Sequence, residues 1–133
     1  MLHRSLPFIL FLVLFSCGEP STPSQAVSIR ASGFPAQLTR SDDALVARRE
    51  SPLRYTVAGW TASEPPPQLH LRASMPSMDH DAATVVLHPR QTDQGWEYRG
   101  TILFVMGGTW RMEMLDADGA VIGSHDTVVR ERP

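Results

Sequence analysis

From residue 53 onward, apolar and polar positions alternate with a period of two between turn signals, as in strands with one buried face. The stretch "LRYTVAGW" at 53–60 predicts a strand, closed by "TASEPPP", whose three successive prolines exclude a helix. In "QLHLRASM" at 68–75, Leu69, Leu71, Ala73 and Met75 share one face, and His70, Arg72 and Ser74 the other. The β-branched "ATVVLH" at 83–88 is expected to stop at Pro89. In "GWEYRGTILF" the alternation groups Trp96, Tyr98, Gly100, Ile102 and Phe104, and in "TWRMEML" it groups Trp110, Met112 and Met114, which makes both of these methionines core residues. Asp118-Gly119 in the "DADG" turn predicts a type I′ hairpin leading into the last strand, "AVIGSHDTVV". Before residue 50 the pattern weakens: "AVSIRAS" alternates like a strand, and "SDDALVARRE" suits a short helical turn or a strand edge equally.

Six such strands, with one or two more before residue 50, predict an all-β fold. The expected architecture is an immunoglobulin-like antiparallel β-sandwich of about seven strands, without the cysteine pair of antibody domains. Twelve arginines and no lysine stand against fourteen acids, a net charge of -2, so there is no basic surplus to neutralise phosphates and no nucleic-acid partner is expected.

The N-terminal segment has a different character. His3 and Arg4 precede an unbroken apolar run at 6–15, too short to span a bilayer, which needs about twenty residues, but suited to the core of a secretory signal. The run ends in "LFSC", which resembles the lipobox of bacterial lipoproteins, with Leu14 at the aliphatic position, Ser16 before the cut and Cys17, the only cysteine, as the lipidated residue. Gly18 in place of Asp resembles the pattern passed on to the outer membrane. The Pro- and Ser-rich "GEPSTPSQ" reads as a tether. The expected organisation is therefore a signal peptide at 1–16, lipidated Cys17 and tether at 17–25, and one domain at 26–133, anchored in the envelope and facing the periplasm, with the outer membrane favoured.

The stretch "SMPSMDHD" at 74–81 places two methionines and a histidine in what reads as a turn, where methionine gains little burial. Alternating strand directions put the loop at 76–81 and "VMGG" at 105–108 at the same end of the fold, which adds Met106 to Met75, Met78 and His80. Three neutral, soft thioethers with one imidazole suit copper, above all Cu(I), whereas zinc favours cysteine or several histidines, and calcium needs many oxygens. Only Asp79 and Asp81 offer oxygen nearby. With His125, near the far end of an upward last strand, they form a candidate second shell. The competing reading is apolar packing: Met75 has core parity, and Met106 equally suits a cap on the core. His70, His88 and His125 otherwise read as solvent-facing strand residues.

"MPSMDH", followed by "GWEYRGTILFVMGGTW", resembles the YtkA-like domain and is similar to FixH-type periplasmic domains associated with the assembly of copper-containing respiratory oxidases. The resemblance covers about residues 52–116 and rests on Met75, Pro76, Met78 and His80, then on Gly95, Tyr98, Gly100, Phe104, Met106, Gly108 and Trp110. It implies an immunoglobulin-like sandwich and copper handling. Gly100 and Gly108 would permit close approach or a tight turn, and Tyr98 and Trp110 would fill the interior. The expected function is a copper-binding envelope lipoprotein for storage or delivery, held to the membrane by its lipid and exchanging copper with a donor or acceptor protein. The alternative is a non-metal interaction module docking on a membrane or envelope complex. No serine nucleophile elbow or paired carboxylates stand out, and the lone cysteine is assigned to lipidation, so an enzyme is not expected.

Overall fold

The computed structural model describes residues 25–78 and 80–132, without the side chains of 80–83. The expected signal peptide, Cys17, residues 18–24 of the tether, and Asp79 lie outside the described residues. The described chain forms eight strands: β1 (Gln25–Ser28), β2 (Gln37–Arg40), β3 (Glu50–Ala58), β4 (Leu69–Met75), β5 (His80–Thr92), β6 (Gly95–Leu103), β7 (Gly108–Leu115) and β8 (Val121–Val129). All paired neighbours are antiparallel and no helix occurs among the described residues, so the fold is all-β, as the alternation predicts.

Eight strands replace the expected seven because two short ones, β1 and β2, precede residue 50. Gln25, placed in the tether by sequence, is the first residue of β1. "SDDALVARRE" is neither helical turn nor edge strand over most of its length: Val46 makes one isolated parallel bridge to Arg130, Arg48 takes a φ of 61°, and β3 starts at Glu50.

The strands form one continuous sheet in the order β1-β2-β3-β6-β5-β4-β7-β8. Its continuity depends on β5, whose first part pairs with β4, from Met75↔His80 to Leu69↔Leu87, and whose last part pairs with β6, from His88↔Arg99 to Thr92↔Gly95. The strand therefore runs through Pro89 instead of stopping there. The ladder to β4 has ended at Leu87, so the missing N–H of Pro89 interrupts no bond on that side. At the outer strands, the Arg30 N–H donates to the Ile122 carbonyl (2.8 Å) and Gln25 Nε2 donates to the Asp126 carbonyl (2.5 Å), so β1 closes on β8. A cleft of ≈ 440 Å³ remains between them, lined by Ser28, Arg30, Ile122 and Ser124 among others, so the sheet is nearly closed.

Inside lie Tyr55, Tyr98, Phe104 and Trp110, with Met112 and Met114 fully buried as expected. Phe104 and Trp110 pack with ring centroids 5.2 Å apart. A Trp→Ala change in such a core costs about 3–5 kcal/mol. The polar tip of Tyr98 is satisfied by donating to the Pro67 carbonyl at 2.7 Å. A Cβ on Gly100 would lie 2.7 Å from Leu87 Cδ2, so this position has no room for a side chain. In the "DADG" turn only Gly119 has positive φ (83°), which excludes a type I′ turn. Asp116 organises it instead, its carboxylate accepting the N–H groups of Asp118 and Ala120 at 2.9 Å each, as in a type I turn closed by a glycine bulge.

Candidate functional site

The registers Glu50↔Leu103, Met75↔His80 and Gly108↔Val129 bring the start of β3, β5 and β7 and the end of β4, β6 and β8 to one end of the sheet. Met75 closes β4 there and is 7% exposed, packed in the core. His80 is its backbone partner, so the strand resumes two residues earlier than the loop at 76–81 allows. The Met78 N–H donates to the Met75 carbonyl at 3.2 Å across the turn that Pro76 begins, and the Met78 side chain is 41% exposed.

Met106 lies in the β6–β7 loop, half-buried against the core. Three bonds hold that loop. The Trp110 indole N–H donates to the Met106 carbonyl (3.0 Å), the Gly107 N–H to Glu131 Oε1 (2.8 Å), and the Arg48 N–H to the Phe104 carbonyl (2.7 Å). Gly108 has φ 131°, and a Cβ there would come within 2.7 Å of the Met75 Cε, so the Met75 methyl occupies the space that a side chain would need. The chain thus gathers Met75 and the backbone of Met78, His80 and Met106 at one end. The side chains of His80 and Asp81, and all of Asp79, are outside the described residues. Among the described residues no group of three or more His, Cys, Asp or Glu converges, and the donors described at this end are the thioethers of Met75, Met78 and Met106. That donor set fits a soft, monovalent ion.

The other described histidines do not join this end. His88 is exposed, with Nδ1 3.1 Å from Gln68 Nε2, and His70 is half-buried on β4. His125 corrects both expectations made for it. It pairs with Met112, four register positions from Gly108↔Val129, so it sits about 13 Å from the methionine end and cannot serve as a second shell. Nor does it face solvent: His125, Thr127 and Val129 share the inward parity of β8, and the His125 Nε2 lies 2.8 Å from the Tyr55 hydroxyl. The two rings meet edge to face with centroids 5.7 Å apart.

Arg40 is buried beside them, its Nε donating to Gln25 Oε1 (3.0 Å) and its Nη1 to the Asp43 carbonyl (3.2 Å). Burial, with a smaller effect from the Arg40 charge, pushes the His125 pKa down to about 4, and Asp126 partly opposes this. Burial also raises the pKa of Tyr55, so the hydroxyl and the imidazole are both neutral at pH 7. On the sheet surface, Arg54 donates to both Asp43 oxygens (2.8 and 3.1 Å) and Ser41 donates a third bond, which lowers the Asp43 pKa. The interior cluster was missed in the sequence because Arg40 lies in a weakly patterned segment; the period-two parity of residues 125, 127 and 129 was the available signal.

These features define an all-β protein built on one nearly closed, eight-stranded antiparallel sheet, with methionines gathered at one end and a neutral, half-buried histidine beside a buried arginine. No protein-family model matches the chain, and no curated protein or solved structure matches it.

Proposed function

We propose that this is a lipid-anchored envelope protein of the YtkA-like kind, with its sheet folded as an immunoglobulin-like sandwich, that binds copper as Cu(I) for storage or delivery. The ligands would be Met75, Met78, His80 and Met106, with Asp79 and Asp81 around them and Cys17 as the lipidated residue. The supporting observation is the pairing of Met75 with His80 while the Met75 methyl rests on Gly108, two residues from Met106. When bound, the ion would supply no reaction, only a soft centre to be held and passed on. Met75, fixed in the core, gives a rigid donor. The Trp110 bond to the Met106 carbonyl fixes the second loop and so reduces the entropy lost on binding. Met78 is the exposed donor, suited to exchange with a copper donor or acceptor protein.

Copper competition on Met78→Leu and Met106→Leu tests this, because leucine conserves apolar volume and removes the sulfur. Cu(I) affinity should fall at least about tenfold, roughly 1.4 kcal/mol. The folding cost should stay under about 1.5 kcal/mol. Unchanged copper binding in both variants would refute the metal site. It would favour the alternative, a non-metal interaction module, which the exposed apolar side chains at the same end support.

A further inference from the structure

Five large apolar side chains are exposed among the described residues, and four of them, Met78, Leu103, Val105 and Val128, lie at the methionine end. The registers Glu50↔Leu103 and Thr109↔Val128 place two of them there, and Val105 follows in the β6–β7 loop. Leu103, Val105 and Val128 are each more than half exposed, while the fifth, Val121, sits at the opposite end of β8. Scattered single apolar residues need no explanation; four at one end do.

Charge at this end follows the same geography. Arg48, Arg49 and Glu50 lead into β3, and Arg130, Glu131 and Arg132 follow β8, all exposed. Glu131 is engaged by Arg48 (3.2 Å) and by the Gly107 N–H. Arg49, Arg130 and Arg132 form no ion pair with a described carboxylate. Glu50 is the described carboxylate of these two segments that also forms no ion pair, so three such arginines stand against one acid.

The direction of β1 supplies the second argument. The pairs Gln25↔Arg40 and Ser28↔Gln37, read with Arg40↔Tyr55 and Gln37↔Ala58, show that β1 runs away from the methionine end, so the chain enters Gln25 from that side. Tyr55 lies five residues from Glu50, which puts Gln25 about 17 Å from the end. Seven residues separate Cys17 from Gln25, a reach of at most about 28 Å.

We infer that the methionine end lies on the lipid surface, with Leu103, Val105 and Val128 entering the headgroup boundary, Met78 at its wet edge, and Arg49, Arg130 and Arg132 meeting anionic headgroups. This rests on the lipid-anchor reading, and it places the proposed copper ligands at headgroup level. Arginine suits such a rim because its stem packs on apolar neighbours while its head stays wet. An apolar face buried about 5–10 Å into the boundary is the expected depth.

The test uses the full acylated chain in vesicles of phosphatidylethanolamine and phosphatidylglycerol. Cys17 would carry the lipid, so Val105→Cys or Val121→Cys introduces the only free thiol for an environment-sensitive fluorophore. Brominated lipid should quench the label at 105 by at least about twofold and leave the label at 121 unchanged, given that boundary depth. Vesicle-retained protein with neither label quenched, or with both quenched equally, overturns the docking while leaving the anchor intact. Shielding of residue 105 in native envelopes but not in pure lipid also overturns it, and assigns the surface to a protein partner. If Cys17→Ser incorporates fatty acid as fully as the wild type, the anchor reading fails and the docking argument built on it falls too.

Discussion

Replacing His125 by glutamine should remove most of the stability that the fold loses between about pH 7 and about pH 4.5. The imidazole is held 2.8 Å from the Tyr55 hydroxyl, and burial lowers its pKa from 6.5 to about 4. A histidine with a depressed folded pKa takes up protons preferentially in the unfolded chain. Its contribution is complete above pH 6.5 and is lost as the pH falls toward 4. Between about pH 7 and about pH 4.5 these two pKa values correspond to a loss of about 2.4 kcal/mol. Asp43 acts in a lower window: its pKa lies below 3.8 because of its bonds from Arg54 and Ser41, so its contribution is lost only as the pH falls below that value. The assay is urea unfolding at the two pH values. With a slope of about 1.5 kcal/mol per molar urea, the wild-type midpoint should drop by about 1.6 M. His125→Gln keeps a polar group beside the tyrosine and should reduce the drop to under about 0.4 M. If the variant loses as much as the wild type, burial of His125 is not the source of the acid sensitivity. Tyr55→Phe provides the neutral-pH comparison, since losing this one part-buried hydrogen bond should cost about 0.5–1.5 kcal/mol.

Gly108→Ala should destabilise by about 1–3 kcal/mol through the strain of a positive φ, because the Met75 methyl in its way ends a flexible side chain that can turn aside. Gly119→Ala, at φ 83° with open space around it, should cost about 1–2 kcal/mol, and thermal melts of the two variants show whether the Met75 methyl adds to the backbone strain. Cys17→Ser should abolish fatty-acid incorporation in metabolically labelled cells; equal label in wild type and variant would refute lipidation there.

Much of the fold was legible because a β-strand exposes its period directly. In Trp110, Met112 and Met114, or Leu69, Leu71 and Ala73, every second residue is buried, and local alternation alone identifies the inward face. The short β1 and β2 were legible only in part, since four residues carry too little alternation to separate a strand from a turn. Pro89 misled for a different reason. Proline stops a strand only where its missing N–H is needed, and whether β4 still needs a bond there depends on pairing between distant segments.

The local pattern of this sequence by itself determined the all-β class, the identity of most of the core and the methionine-rich turn, because each depends on neighbours a few residues apart. Only the tertiary structure decided that β5 joins both halves into one sheet, that β1 closes on β8, and that His125 turns inward to Tyr55, 70 residues away in the chain. Those outcomes are set by which strand edges remain unpaired once the sheet has assembled, and by which buried polar atoms then need a partner. Neither quantity exists until the chain has folded.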